Sequence, residues 1–480
     1  MRLTTRLVAV TTLVLATSLP SAAAAADLLI RKARLLGETG ASPRNEVSIL
    51  IRSGRIEQIA EQISVPIGTP VLDVNGSTVI PGLVDAHVHL EMVPGAAYRK
   101  DSEDIKRGLR RQHLRAYLAC GVTTVLDTGI SFEQLEDIQN WLKSGHPGPR
   151  VLALGPPLSS PGGYASTVPE SYAFRASVAT AADVDALVAR IASAGAVGVK
   201  VNIEEGFGPF AVWPIHSPEI RQAITNAAAA HHLPIYVHGS SEKEQRIGLE
   251  MGAHALVHGG FWDTKPTPEF VRQLHDSGAY VISTISAVAA GRVRSHPDLL
   301  NDPLYRLTVP AVEIETARDP EAGHRLDLEF AALNLPWWIP RFLHGTLLSI
   351  LMTEGRREQI VGNAEAAIRV FHESNIPVVL GSDSGNWEII PYEFHGPTTL
   401  RELELLEEAG LSRSDALAAA TRVAAQMLHL ADEIGTVEVG KRADLVIVGG
   451  DPLKDLKVLR APRWIVQDGV ARTPQEWMTE

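Results

Sequence analysis

The sequence predicts an α/β fold: a distorted (β/α)8 TIM barrel with a small β-sandwich domain formed from both chain ends. Short apolar runs rich in β-branched residues recur along the chain, and several end in a polar residue. Helix-like segments lie between several of these runs, and repeated strand-then-helix units build a parallel sheet, enough of them a barrel. Short strand-like segments split by turn signals flank this region at both ends, too few at either end to make a core alone. The length of 480 residues suits a large barrel plus a smaller domain.

Taken in order, residues 1–26 read as a signal peptide. Arg2 and Arg6 form a positive start, Leu7 to Leu19 is mostly apolar, and Ser21 to Ala26 offers small residues for cleavage near Ala26. The apolar run is too short to span a membrane comfortably, and no cysteine stands there for lipid attachment, so the expectation is export, to a periplasm or beyond, with no stable membrane anchor. Residues 27–82 give the first part of the sandwich, with strands at Leu28-Leu29-Ile30, Val47 to Ile51 and Ile56 to Ile59 around the turn Ser53-Gly54-Arg55. Residues 434–480 give the rest, through Asp444 to Val448 and Val458 to Gln467. The barrel occupies 83–433, with strands expected near 84–89, 122–127, 150–155, 196–202, 234–238, 254–258, 280–285 and 377–383. Roughly ninety residues separate the last two. That insertion, at about 290–370, reads as a helical lid or substrate wall in which Trp337 and Trp338 either line a pocket or pack in a core.

The charge and cysteine content exclude several classes. Lys and Arg number 44 against 56 Asp and Glu, a formal charge of −12, which argues against nucleic acid or an anionic membrane as partner. The single cysteine, Cys120, excludes an intramolecular disulfide and reads as a small buried apolar residue. Oligomeric state is open.

Chemistry concentrates at the strand ends. Val84-Asp85-Ala86-His87-Val88-His89 places two imidazoles on one face of a strand, where both reach one ion. The runs ending in Lys200, His238, His258 and Asp383 supply four more candidates, and the C-terminal strand ends of a barrel share one face. His87, His89 and Asp383 would hold one ion, and His238 and His258 a second, with zinc the expected metal from nitrogen and carboxylate donors. His254 falls at the opposite end of its strand and reads as structural. Lys200 admits two readings. A protonated ammonium has no lone pair and would be repelled by two dications. It either points away, toward structure or a substrate carboxylate, or it has reacted with carbon dioxide to give an anionic carbamate. Tyr164, in a loop after the third strand, and His395, after the eighth, are candidate substrate contacts. Arg292, Arg294 and Arg341, in or near the insertion, read as solvated surface residues or, alternatively, as the cation for a substrate carboxylate.

The string Pro81-Gly82-Leu83-Val84-Asp85-Ala86-His87-Val88-His89 resembles the first-strand signature of the amidohydrolase superfamily. Gly435-Thr436-Val437-Glu438-Val439-Gly440-Lys441-Arg442-Ala443-Asp444-Leu445-Val446-Ile447-Val448 resembles its C-terminal signature. A lysine on the fourth strand with histidines on the fifth and sixth is similar to the binuclear branch, including prolidase-like dipeptidases, acyl-amino-acid amidohydrolases, ochratoxin-type amidases and imidazolonepropionase-related members. The resemblance implies two divalent ions bridged by a Lys200 carbamate, a hydroxide attacking an amide carbonyl, and Asp383 passing a proton to the leaving amine. The implied substrate is a small amide, a dipeptide or an N-acyl amino acid. The alternatives are a single-metal deaminase, disfavoured because Ser241 stands where those enzymes place a glutamate, and a lactonase or phosphotriesterase.

Overall fold

The computed structural model describes residues 27–36, 43–164, 176–206, 213–259, 265–335, 338–351 and 353–479. The expected signal peptide and Trp337 lie outside the described residues. Eight parallel strands form the barrel: β1 (Leu83–Val88), β2 (Val122–Asp127), β3 (Arg150–Ala153), β4 (Val199–Asn202), β5 (Ile235–His238), β6 (Ala255–Val257), β7 (Tyr280–Ser283) and β8 (Val378–Leu380). Each falls inside or within a residue of its expected position. They were legible because a parallel strand covered on both faces is a continuous apolar run, and β1, β2, β4, β5 and β6 are buried at every position.

Ladders join β1 to β3 and β4 to β8. Single backbone bonds close the two gaps. Val197 N donates to Ala153 O at 3.0 Å between β3 and β4, while Asp383 N to His87 O at 2.8 Å and His89 N to Ser384 O at 2.9 Å tie β8 to β1. The distortion sits between β3 and β4. The chain turns at Gly155, with φ 72°, and a two-residue strand, Leu158–Ser159, pairs with Val201 of β4.

Alternate residues divide between two cores, as a strand's period of two requires. Val84, Ala86, Leu126, Tyr236, Val257, Ile282 and Val379 fill the barrel and meet Ala424, Met427 and Leu428 at its base. There His254 Nε2 pairs with Met427 O at 2.8 Å. Leu83, Val125, Val199 and Val237 face the surrounding helices. β1 and β2 approach so closely that a Cβ on Gly82 would lie 2.1 Å from Thr123 Oγ1.

An eight-stranded sheet takes strands from both chain ends. Leu445–Val448 pairs antiparallel with Thr78–Pro81, which continues into β1, and Ile30, Ile49, Val79, Ile447 and Val466 share its apolar core.

Seven helices matter for the site: α1 (Glu103–Ala119), α2 (Ile285–Ala289), α3 (Arg292–Ser295), α4 (Ala311–Arg318), α5 (Pro320–Asn334), α6 (Glu354–Glu373) and α7 (Pro397–Glu408). The insertion between β7 and β8 supplies α2 to α6. Among the described residues no helix is long and apolar enough to cross a membrane.

Candidate metal centre

β1 and β8 bring three ligand atoms together at the barrel mouth. His87 Nε2 and His89 Nε2 lie 3.2 Å apart, and Asp383 Oδ1 lies 3.1 Å from each. Donors about 2.1 Å from one ion and roughly a right angle apart are themselves about 3 Å apart, so this triangle has the dimensions of a coordination face. Asp383 Oδ1 is buried with no hydrogen-bond partner, a costly state unless a cation completes it. The donor set therefore fits a divalent ion.

The other three predicted ligands stand beside this triangle. The ring centroid of His258 lies 5.0 Å from that of His87 and 4.5 Å from that of His238. Lys200 is 3% exposed, and among the described residues no carboxylate lies within ion-pair distance of its amine. All six residues line one small cavity of about 40 Å³ together with Tyr164 and Asn202. That cavity opens into a larger one of about 190 Å³, with Tyr164, His238, His258, Asp383 and Trp387 lining both.

A hydrogen bond fixes which nitrogen His258 presents, and a carboxylate stands beside His238. Thr284 Oγ1 lies 2.9 Å from His258 Nδ1, leaving Nε2 for an ion. Thr284 is consequently spent as a helix cap; Glu402 of α7 takes over, accepting from Ile285 N at 3.1 Å and Ser286 N at 2.6 Å. Glu204 Oε2 lies 3.3 Å from His238 Nε2, and the carboxylate is held by Ser240 Oγ at 2.6 Å and Gly206 N at 2.8 Å. Metal-binding imidazoles characteristically show such outer partners. Behind β1, Asp85 accepts from Ser382 N at 2.9 Å and Thr399 Oγ1 at 2.6 Å, and Asp127 accepts from Leu90 N at 2.7 Å.

The electrostatics favour ligation. Burial first, then the Lys200 charge, pushes His87 and His238 down to about 3, and burial holds His258 well below the usual imidazole range, so all three are neutral at pH 7 with a lone pair to give. Burial works to raise the Asp383 carboxyl, but the His87 and His89 imidazoles set against it hold it well below its ordinary value. Burial drives the Lys200 amine down to about 7, against the pull of Asp383 and Asp127. His258 and Asp383 both adopt left-handed backbone, φ 63° and 57°, a strain of the kind that gathers at functional sites.

Of the two predicted substrate contacts, the structure brings Tyr164 to the cavity, its ring stacked on His238 at 4.6 Å between centroids. It does not bring His395 there. His395 Nδ1 lies 2.9 Å from Tyr117 Oη and Nε2 3.0 Å from Met92 O, and the ring stacks on His113 of α1, so both nitrogens serve the packing under α7. Arg292 pairs with Glu358 on the surface, whereas Arg294 lines the large cavity. The supports Glu204 and Thr284 were missed. Glu204, four residues past Lys200 and so at the same mouth, was the one a reading of strand ends would have found.

The model of the amidohydrolase family matches residues 78–260 and 341–467, which takes in all six ligand positions and the whole of both signatures. The chain belongs to the amidohydrolase family. Members of this family generally use divalent metals, consistent with the His87, His89 and Asp383 cluster. Among curated proteins, this amidohydrolase is 33% identical over 99 residues to the dihydroorotase of Pelobacter propionicus, 21% of each chain. The match thus spans about a fifth of that relative's length. Among solved structures it resembles a Xaa-Pro dipeptidase with bound methionine, at a TM-score of 0.71 and 23% identity over 93% of this chain and 100% of that one. It also resembles a putative prolidase from Bifidobacterium longum, at 0.66 and 24% over 94% and 95%. These likenesses establish the shared fold: a barrel with a second domain drawn from the chain ends.

Proposed function

We propose that this metal-dependent hydrolase is a binuclear amidohydrolase cleaving the amide bond of a small peptide or N-acyl amino acid. The carrying observation is that six ligand-type residues from five strand ends line one cavity of about 40 Å³. His87, His89 and Asp383 would hold one ion, and His238 and His258 the other. Lys200 would bridge them as a carbamate: its nitrogen lone pair forms a bond to the carbon of carbon dioxide, and the ammonium proton leaves to solvent. Two divalent ions, with zinc the first choice for these donors, would supply an acidified water and a polarised carbonyl.

The chain's own groups do the rest. Thr284 holds His258 in the tautomer described, and Glu204 sets a carboxylate against His238. Asp383 accepts the proton of the attacking water at a carboxylate oxygen and returns it to the leaving amine. Tyr164 stands to donate its hydroxyl to the carbonyl oxygen as charge develops there. Trp387 and the apolar wall beside it keep bulk water from the reacting carbon. We also propose export, on the strength of Arg2, Arg6 and the apolar and alanine-rich stretches of residues 1–26.

Elemental analysis of protein purified with bicarbonate, followed by a screen of dipeptides and N-acyl amino acids, tests the reading. About two ions per chain and hydrolysis of a member of the panel are expected. One ion per chain would overturn the bridged centre. Mass analysis of secreted material starting at Met1 would overturn export.

A further inference from the structure

The large cavity leading from the metal centre is apolar along its length and cationic at its far end. Thr284, bonded to His258, begins a helical run through α2 and α3, whose junction keeps helical angles at Ala290 (φ −53°, ψ −34°) and Gly291 (φ −59°, ψ −20°). Arg294 stands at the end of that run, about 15 Å of helical rise from Thr284. Between them the wall is Val288, Phe330 and Ile360. At the far end three helices each contribute one charged side chain. Arg294 Nη1 of α3 lies 2.8 Å from Asp327 Oδ2 of α5, and Arg357 Nη2 of α6 lies 3.2 Å from Asp327 Oδ1. All three line the cavity and are half-buried. One carboxylate is thus shared by two guanidinium groups, a local sum of +1 in a chain of formal charge −12. The packing is close: a Cβ on Gly323 of α5 would come within 2.8 Å of Arg294 Nε.

We propose that Arg294 and Arg357 form an anion subsite for a carboxylate at the end of the substrate remote from the scissile bond, with an apolar body between the two. This rests on the amide-hydrolase reading and narrows it. The run from Thr284 to Arg294, shortened by the arginine's own reach, corresponds to about two to four extended residues, so the fitting substrate is a short apolar peptide-like amide with a free terminal carboxylate. Guanidinium suits that partner, since its fork of donors matches a carboxylate's two oxygens. A purely structural latch between the helices would use the same three residues, and the two roles predict opposite effects of removing Asp327.

The test uses metal-loaded protein and acetyl-Leu, acetyl-Leu-Leu and acetyl-Leu-Leu-Leu, each as free acid and as carboxamide, with affinity by calorimetry and hydrolysis by product analysis. The longer acids are expected to bind about tenfold tighter than their carboxamides, the scale of a charge-assisted pair. Arg357→Met should bring that ratio close to one, and Asp327→Asn, by leaving both cations uncompensated, should raise it. A ratio near one at every length in the native protein, or a ratio lowered by Asp327→Asn, overturns the subsite. Should Arg357→Met fail to fold, the sign of the Asp327→Asn effect decides alone. Acids bound with the expected preference but never cleaved would leave the subsite standing and remove the amide-hydrolase reading. Carboxamides cleaved as readily as acids would do the reverse.

Discussion

If Lys200 must react with carbon dioxide before the second ion is held, metal uptake should follow the protonation of its amine. The apo protein would be prepared with a chelator and given zinc back at pH 6 and pH 8, at one fixed concentration of dissolved carbon dioxide, and again in gas-free buffer. With the amine pushed down to about 7, about nine in ten Lys200 side chains carry a lone pair at pH 8 and about one in ten at pH 6, whereas at the ordinary 10.5 only about three in a thousand would at pH 8. Uptake of the second ion, timed by elemental analysis and by the return of activity, should therefore be about ten times faster at pH 8 than at pH 6. The imidazoles do not confound the comparison, because His87 and His238 are held near 3 and His258 well below the usual imidazole range, so all three stay neutral throughout. In gas-free buffer uptake should stop near one ion per chain, and Lys200→Met should stop there under any gas. Two ions bound without carbon dioxide, or two ions in Lys200→Met, would refute the bridge.

Three further outcomes are expected. Glu204→Gln should weaken the outer ion by about 10- to 100-fold in chelator competition while leaving the inner one alone, and unchanged affinity would remove Glu204 from the centre. Tyr164→Phe should lower kcat by about a hundredfold or more with little change in KM, as loss of an oxyanion donor does; a change in KM alone would make Tyr164 a wall of the pocket. Glu313 of α4 meets His113 at 2.7 Å in full burial, which pushes the carboxyl up to about 8 and the imidazole down to about 3, so the pair is uncharged around neutral pH. The folded protein then holds a proton on Glu313 that the unfolded chain releases above about 4.5, and stability from this group is lost as pH rises toward 8. Glu313→Gln should flatten the decline of Tm between pH 6 and 8, and an unchanged slope would show that Glu313 carries no extra proton.

The barrel was legible because most of its strands are buried apolar runs, and the ligand candidates because each interrupts such a run at its end. His254 and His258 show how far that logic reaches: four residues apart and flanking one strand, they occupy opposite ends of the barrel, one on Met427 O and one at the mouth. It failed where the partner is distant in sequence or the loop path is irregular. His395 follows β8 and so was placed on the active face, yet Tyr117 and Met92, 278 and 303 residues upstream, take up its nitrogens. Thr284 and Glu402 acquire meaning only through each other, one freed for His258 because the other caps α2. The insertion was expected as a helical lid or wall. Its helices do wall the large cavity, but no local pattern announced that residues from α3, α5 and α6 would meet there.

The bonds that tie the last barrel strand to the first are made by the ligands and their immediate neighbours. Asp383 N reaches His87 O, and Ser382 N reaches Asp85 across 297 residues of chain. An ion shared by His87, His89 and Asp383 would therefore act as a removable cross-link over a very long loop, whose closure entropy grows only slowly with its length. Such a cross-link discourages the first and last staves of the barrel from parting, which is the motion an opening barrel must begin with. In this protein the reaction centre would double as the clasp of the fold, and a chelator would loosen the architecture by the same act that silences the chemistry.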